Sequence, residues 1–267
     1  MTQSTDAVTF DPKKLVREVY DALEQIVPLD RLWEHGVVHP GGPHYRLDGT
    51  LGPVSFGEDE CIEMGRFVQN FRPTRCFIIG NAFGTSSVYI AKAMQACGGT
   101  SVITLDNKSE GDGERCAKVA EDLRARVDAR LLTNRCGWSP KDIVSVSDGK
   151  KFDLVLIDGL HAHPQVTEDY HGIQEVIHEQ SVICWHDYWL NGVPESVAVA
   201  ESEGFHCLKV NTSGELVFGT RDSAVFERIK DTFPEWEKPK KQTRYLALAR
   251  LYTGLVRGAI RRRLRGK

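Results

Sequence analysis

The chain has 267 residues, of which 41% are hydrophobic and 27% charged, and its formal net charge is −3. This composition is typical of a globular protein with one core and extensions. It has no apolar run of 18 or more residues and no apolar stretch at the N-terminus, which argues against a membrane span and a signal peptide. The seven cysteines form no CxxC pair, so we expect a cytoplasmic protein without a disulfide framework or a zinc site.

The first predicted elements in the chain are a helix and an irregular segment. Residues 11–30 carry apolar side chains at helical spacing, and Asp11 is the predicted N-cap. Residues 36–53 are rich in Gly, Pro and His. We expect them to form an irregular segment, a candidate flap over a site.

From residue 58 onwards, short apolar strands alternate with helices. The predicted helices span residues 58–70, 84–97, 112–126 and 164–178, and the predicted strands span residues 76–79, 101–105, 129–132, 152–157 and 181–185. This alternation indicates a parallel sheet with helices on both faces. Residues 205–210 and 215–219 flank a turn at Ser213-Gly214 and predict a β-hairpin.

The C-terminal segment differs in charge from the rest of the chain. Residues 238–267 contain eleven Lys or Arg and no Asp or Glu, which leaves 23 basic and 37 acidic residues elsewhere, a net charge of −14. Apolar residues within 243–260 recur at helical spacing and predict a basic amphipathic helix. This helix either lies on the anionic inner face of a membrane or docks on the acidic body of the protein. One basic segment gives little support for nucleic-acid binding.

A candidate cofactor site follows the first two predicted strands. Gly80 permits a tight turn after the first strand, and Gly84 permits close approach of a ligand to the backbone. Asp106, after the second strand, either accepts hydrogen bonds from the ribose hydroxyls of an adenosyl group or serves as an ordinary helix N-cap. The pattern G-x-G-x-x-G is absent because Asn81-Ala82 replaces its x-Gly, which favours S-adenosylmethionine (SAM) over a nicotinamide cofactor.

A candidate catalytic site follows the strands predicted at 152–157 and 181–185. Asp158 and His161 come after the first of these strands, and His186-Asp187 after the second. Because neighbouring strands lie about 4.8 Å apart, we expect these side chains to converge on one cavity. His161 is either a base, since the ordinary pKa of histidine is ~6.5, or a structural histidine bonded to a neighbouring aspartate. Carboxylate and imidazole groups also suit a divalent metal ion.

Four segments of the chain resemble a known family. They read CFIIGNAFGTSSVYIAKAM, VITLDN, FDLVLIDGLHAHPQVTEDY and SVICWHDYWLNGV. The resemblance covers residues 52–220 and is to class I SAM-dependent O-methyltransferases, closest to the branch of sugar and macrolide-sugar methyltransferases and cephalosporin hydroxylase-associated proteins. Catechol O-methyltransferase is a more distant relative. The resemblance implies a Rossmann-like α/β fold with a mostly parallel sheet, a C-terminal antiparallel hairpin and helices on both faces.

The resemblance also implies a function and its site residues. The reaction would be SAM-dependent methyl transfer to a hydroxyl of a sugar, glycan or related small molecule, with His161 as the catalytic base beside Asp158. A divalent cation, Mg or Mn, would bind Asp158, His186 and Asp187. The residues implied in cofactor binding are Phe56, Gly57, Gly80, Asn81, Gly84, Ser86, Asp106, Trp138 and Asp158.

Three positions bear on how closely the chain follows the family. Ile78 stands where the family usually has an acidic residue, so an interaction with the charged end of the cofactor is missing or supplied elsewhere. His186 also replaces a usually acidic residue, which disfavours Mg and leaves a softer metal or none as alternatives. Trp138 falls where the family brackets adenine, and it either stacks on the base or packs in the core.

These predictions divide the chain into three parts. An N-terminal helical and flap extension covers residues 1–51, a SAM-binding catalytic domain covers 52–222, and a basic C-terminal extension covers 223–267. The expected partners are the acceptor molecule, a membrane surface contacted by the basic helix, and a second copy of the chain. Two other functions stay open: a divergent SAM-binding protein without methyl transfer, and a nicotinamide-dependent oxidoreductase.

Overall fold

The computed structural model describes residues 10–27, 56–108, 113–190 and 192–239. The candidate flap at 36–53 and the predicted basic helix at 243–260 lie outside these residues. The helices are α1 Pro12–Ile26, α2 Glu58–Phe71, α3 Thr85–Ala96, α4 Gly113–Arg126, α5 Ile143–Val146, α6 Gln165–Gly172, α7 Val193–Ser202 and α8 Ser223–Thr232. The strands are β1 Arg75–Ile79, β2 Ser101–Asp106, β3 Leu132–Cys136, β4 Phe152–Ile157, β5 Ile177–Trp185, β6 His206–Val210 and β7 Leu216–Thr220.

The strands form one seven-stranded sheet in the order β3-β2-β1-β4-β5-β7-β6. The first five strands are parallel, whereas β7 runs antiparallel to both β5 and β6. The predicted fold class is therefore confirmed, including the C-terminal hairpin. Strand order reverses between β1 and β4, and open α/β sheets bind ligands beyond the carboxyl ends of the strands at such a point.

The register brings the ends of the central strands level with one another. Ile79 pairs with Leu105 on one side and with Ile157 on the other, and Ile157 pairs with Trp185. The residues that follow these four positions therefore emerge along one edge of the sheet. They include the predicted cofactor and catalytic residues.

Helices cover both faces of the sheet because alternate strand residues point to opposite sides. On β1, Cys76 and Ile78 pack in the core beneath α1, α2, α3 and α8, whereas Phe77 and Ile79 pack in the core beneath α6 and α7. Ile78 is fully buried. The residue at the usually acidic position thus belongs to a hydrophobic core.

Some element boundaries differ from the prediction. The strand predicted at 129–132 is β3, which begins only at Leu132; it is an edge strand of mostly polar residues, so the apolar run before it was misleading. The helix predicted at 164–178 ends at Gly172 and is followed by a 3₁₀ turn and by β5, whose first residues are polar and exposed. Helices α5, α7 and α8 were not predicted.

The first and last helices, α1 and α8, both pack against the central part of the protein. Helix α1 packs against α2, α3 and α4, and α8 packs against β6, β7 and α2. The division at residues 51 and 222 stays a prediction. Within the described ranges, every helix is too short or too polar to cross a membrane.

Candidate active site

A cavity of about 200 Å³ lies beyond the carboxyl ends of β1, β2 and β4. Five of the predicted cofactor residues line it, namely Gly80, Asn81, Asp106, Trp138 and Asp158. Ser139, Leu160, Gln165 and Asp169 line it as well. The cavity thus lies at the reversal of strand order, where the topology predicts a ligand.

The carboxylate of Asp106 fastens the loop after β1 to the end of β2. Its Oδ2 accepts hydrogen bonds from the backbone N–H groups of Asn81 (2.7 Å) and Ala82 (3.2 Å). Its Oδ1 accepts one from the N–H of Lys108 at 2.6 Å. Since a carboxylate has about four acceptor positions, Oδ1 retains one for a ligand hydroxyl. Asp106 therefore has a structural role that is compatible with the predicted ribose contact.

The atoms around Gly80 and Gly84 explain why this loop has glycine at both positions. Gly80 has φ +90°, and a Cβ there would lie 2.2 Å from the carbonyl oxygen of Asp158. Gly84 has φ +79°, and a Cβ there would lie 2.8 Å from the Cβ of Ala120 in α4. Both positions require glycine for backbone conformation and packing. Gly84 allows α4 to pack closely against this loop, whereas the sequence predicted that a ligand would lie there.

Trp138 lies at the mouth of the cavity and is 59% exposed. Leu160, 56% exposed, lines the same cavity. The indole therefore does not pack in the core, which was one of its two predicted environments. An exposed indole face beside a cavity is suited to stacking on a planar ligand.

Phe56, Gly57 and Ser86 are three further residues that the resemblance implied in cofactor binding. Ser86 is buried at the start of α3, and its Oγ is 3.4 Å from Oδ2 of Asp158. The buried ring of Phe56 lies 4.7 Å from the ring of His186. Gly57 precedes α2, and its N–H donates to Oε2 of Glu60 at 2.7 Å.

His186 is buried between two carboxylates. Its Nδ1 lies 2.6 Å from Oδ1 of Asp158, and its Nε2 lies 3.1 and 3.2 Å from the two carboxylate oxygens of Glu60. The side chains of His186 and Glu60 are 2% and 0% exposed, so both are shielded from water. Sequence analysis found Asp158 and His186 but missed Glu60. The spacing from Gly57 to Glu60 is that of a helix-capping pair, which signals the cap but not the contact with His186.

His161 and Asp187 complete the cluster. Asp187 is buried at φ +55°, and its Oδ1 accepts a hydrogen bond from Nε1 of Trp189 at 3.0 Å. Its Oδ2 lies 3.6 Å from Nδ1 of His161, and Nε2 of His161 lies 3.7 Å from Oδ1 of Asp158. Among the described residues, Oδ2 of Asp187 and Nε2 of His161 are buried without a hydrogen-bond partner. The four side chains after β4 and β5 therefore meet, as their positions predicted.

The charges of the cluster shift two pKa values in opposite directions. Burial raises the pKa of Asp158, but the charge of His186 and the contacts with both His161 and His186 outweigh burial and hold this pKa well below its usual range. Burial lowers the pKa of His186, but the negative charges around it, Asp187 first, outweigh burial and hold this pKa well above its ordinary value.

Asp169 is a further carboxylate at the cavity that is not among the predicted site residues. It lies in α6, is buried and lines the cavity. Its Oδ1 accepts hydrogen bonds from Oγ of Ser139 (2.5 Å) and Nε2 of Gln165 (2.8 Å). Burial raises the pKa of its carboxyl. Asp169 therefore points back towards the site and not to solvent.

The arrangement does not favour a metal ion on Asp158, His186 and Asp187. Two ligands that each lie about 2.1 Å from one ion are about 3.0 Å or more apart, whereas Oδ1 of Asp158 and Nδ1 of His186 are 2.6 Å apart. The other ring nitrogen of His186 faces Glu60. A related set, Asp158, His161 and His186, offers ligand atoms that lie within 4.8 Å of one another. The metal site stays an untested prediction.

Comparison with known proteins finds a similarity to one family over part of the chain. A family model described as a methyltransferase domain matches residues 77–188. No curated protein matches the chain. An O-methyltransferase structure from Bacillus cereus, in complex with S-adenosylhomocysteine (SAH), is 14% identical with a TM-score of 0.53, covering 78% of this chain and 90% of that one.

Two further solved structures are similar. The O-methyltransferase TomG from Streptomyces achromogenes, involved in tomaymycin synthesis and in complex with SAM, is 16% identical with a TM-score of 0.50, covering 75% of this chain and 89% of that one. The SAH-bound methyltransferase PaMTH1 from Podospora anserina is 12% identical with a TM-score of 0.50, covering 61% and 79%. At such identities the structures show a shared fold, and the family match adds the type of domain. Residues 77–188 therefore match a methyltransferase domain, and the described residues share the fold of these SAM- and SAH-bound methyltransferases.

Proposed function

We propose that this protein transfers a methyl group from SAM to a hydroxyl of a sugar, glycan or related small molecule. One observation carries the proposal: His161, with an unpartnered buried ring nitrogen, lies at the same strand edge as the cavity that Asp106 and Trp138 border. A base and a recess for the cofactor are thus adjacent. The O-methyltransferases among the similar structures support transfer to an oxygen atom.

The residues around the cavity fit an adenosyl cofactor. Asp106 retains an acceptor position for a ribose hydroxyl, and the exposed Trp138 offers a face for adenine. Ser86, at the N-terminal end of α3, is suited to the carboxylate of the methionine end, because helix N-termini favour anions. When bound, SAM supplies a methyl group that is already electrophilic.

The role assigned to this chain's own residues is to hold the acceptor and remove its proton. A sugar hydroxyl is a weak acid, so its oxygen needs a base as it attacks. His161 is that base, and Asp158 and Asp187, each within 3.7 Å of its ring nitrogens, stabilise the imidazolium that forms. A positioned general base contributes a factor of about 10²–10⁴ to the rate. Orientation of the two reactants supplies further acceleration.

A binding and a transfer experiment test the proposal together. Calorimetric titration with SAH and with NADH, followed by incubation with radiolabelled SAM and a panel of monosaccharides, oligosaccharides and catechols, should show SAH binding and label in a sugar hydroxyl. Label in a catechol would contradict the sugar assignment. SAH binding without label in any acceptor would favour a SAM-binding protein without transfer, and NADH binding without SAH binding would favour an oxidoreductase.

Contact of the basic C-terminal segment with a membrane also stays a proposal, and it would place the acceptor among lipid-linked glycans. Its basis is the charge of residues 238–267. Sedimentation with vesicles containing anionic lipid should recover the full chain, and a chain lacking residues 240–267 should remain in the supernatant. Equal sedimentation of the two proteins would contradict membrane contact through this segment.

A further inference from the structure

We infer that Asp169 accepts a hydrogen bond from the exocyclic amine of the cofactor's adenine and thereby makes the site selective for a 6-aminopurine. Asp169 lies in α6, is almost completely buried and lines the cofactor cavity. The inference rests on the proposed placement of the adenosyl group between Asp106 and Trp138. It assigns a specificity-determining role to a buried carboxylate that the proposed methyl transfer does not use.

The described residues use only one oxygen of the Asp169 carboxylate. Oδ1 accepts hydrogen bonds from Oγ of Ser139 at 2.5 Å and from Nε2 of Gln165 at 2.8 Å. Within the described ranges, Oδ2 has no hydrogen-bond donor. A Cβ on Gly159, which also lines the cavity, would lie 3.8 Å from Oδ2. Because a buried carboxylate is costly unless its oxygens are paired, Oδ2 is the atom left for a ligand.

The neighbours of Asp169 place this oxygen beside the proposed position of the adenine. Ser139, which donates to Oδ1, directly follows Trp138, whose indole is exposed at the mouth of the cavity. Three carboxylates line the cavity, those of Asp106, Asp158 and Asp169. Asp106 is assigned to the ribose, and Asp158 belongs to the cluster around the proposed base. Asp169 is therefore the carboxylate that remains for the base of the cofactor.

The chemistry of the carboxylate selects an amine over a carbonyl group. An ionised carboxylate only accepts hydrogen bonds, and both hydrogen bonds to Oδ1 favour the ionised form of Asp169. At position 6, adenine carries an amine that donates, whereas a 6-oxopurine carries an oxygen that accepts. Oδ2 of Asp169 therefore attracts the first base and repels the second.

The hydrogen bonds around Asp169 also determine how an asparagine would behave there. Nε2 of Gln165 donates to Oδ1 of Asp169 and, at 3.1 Å, to the backbone carbonyl of Ser139. Because a carbonyl only accepts, this contact fixes the orientation of the Gln165 amide. In Asp169→Asn the side-chain oxygen would keep the Gln165 donor, and an NH₂ group would replace Oδ2. The variant would donate where the wild type accepts, so it should prefer an oxygen to an amine.

Calorimetric titration with SAH and with S-inosylhomocysteine, in which an oxygen replaces the adenine amine, tests the inference. The wild type should bind SAH about 10- to 100-fold more tightly than the 6-oxo analogue, which leaves Oδ2 without a donor. Asp169→Asn should bind SAH about 10- to 100-fold more weakly than the wild type does, and should bind S-inosylhomocysteine at least as tightly as SAH. This reversal is a readout that a structural role alone would not produce.

The matched control is Glu168→Gln, which removes an acidic charge from an exposed neighbouring position in α6. It should leave both Kd values unchanged. An equal loss of affinity for the two analogues in Asp169→Asn would overturn the inference, since Asp169 would then only hold the loop at Ser139.

The wild type alone tests the inference if Asp169→Asn does not fold. Equal binding of the two analogues, or tighter binding of S-inosylhomocysteine, would overturn it while leaving the proposed methyl transfer intact. Binding of neither analogue would overturn it together with the cofactor assignment. None of these readouts depends on methyl transfer, so failure here is distinguishable from failure of the proposed function.

Discussion

Glu60 and His186 are separated by 126 residues in the sequence, and their side chains meet at 3.1 Å in the interior of the protein. Glu60 lies near the N-terminus of α2, whereas His186 directly follows β5. Helix α1 supports the same region, since the hydroxyl of Tyr20 donates to the carbonyl of Phe56 at 2.5 Å. The segment before β1 therefore contributes side chains to the candidate site.

The first prediction concerns Glu60→Gln. This change removes one of the charges that raise the pKa of His186. A group whose folded-state pKa is raised stabilises the fold fully below its unfolded pKa, ~6.5 for histidine, and loses this contribution as the pH rises through the folded value. We expect the variant to be about 1.5–3 kcal/mol less stable than the wild type at pH 6, with a smaller difference at pH 9. Urea unfolding at both pH values measures it.

Glu63→Gln controls for the loss of an acidic residue from α2. Its carboxylate pairs with Arg66 at 2.9 Å and does not reach His186. The difference in unfolding free energy between this variant and the wild type should not follow the same pH trend. A pH-independent effect of Glu60→Gln would argue that Glu60 only packs against His186.

The sequence predicted which residues follow the strands and meet at the site. It did not predict which residues of the helices pack against them. Asp158, His186 and Asp187 follow strands, and the alignment of parallel strands is general, so their convergence was predictable. Glu60 reaches the site only because α2 packs beside the β6–β7 turn, and no local pattern encodes that distance. Asp169 is similar, because its burial depends on Ser139 in a loop 30 residues earlier.

The second prediction separates His161 from its neighbour His163. His161→Asn should lower kcat by about 10²–10⁴, because the base is lost, while the Kd for SAH stays within twofold. His163 is exposed two residues away, and His163→Asn should leave both values unchanged. Steady-state kinetics with the acceptor found in the transfer screen, together with SAH titration, checks this. Equal losses in the two variants would exclude His161 as the base.

The third prediction concerns Trp138→Ala. The indole is 59% exposed, so its loss should leave the melting temperature nearly unchanged. Stacking of an aromatic side chain on a base contributes about 1–3 kcal/mol, so the Kd for SAH should rise roughly 5- to 150-fold. Val144→Ala is the control, since Val144 is 48% exposed and does not line the cavity. An unchanged Kd in Trp138→Ala would mean that adenine lies elsewhere.

The fourth prediction concerns Asp153→Asn. This change should lower the stability of the protein without affecting SAH binding at the opposite ends of the strands. Asp153 lies near the start of β4, and its Oδ2 accepts from the N–H groups of Thr74 and Arg75 at 2.7 and 2.9 Å. His178 adds a contact of 3.0 Å to Oδ1. Burial raises the pKa of Asp153, but a hydrogen bond from the Thr74 hydroxyl at 2.6 Å, together with the bonds above, outweighs burial and lowers it.

A lowered pKa means that the stabilisation by Asp153 is present above the unfolded value of ~3.9 and is lost as the pH falls through the folded value. Asp153→Asn should therefore reduce the free energy of unfolding by about 1–3 kcal/mol at pH 7, and by less at pH 3. The Kd for SAH at pH 7 should be unchanged, because the cavity lies at the opposite ends of the strands. Asp148→Asn, at an exposed position in the preceding turn, is the control and should change neither quantity. Weaker SAH binding by folded Asp153→Asn would show that the two edges of the sheet are coupled.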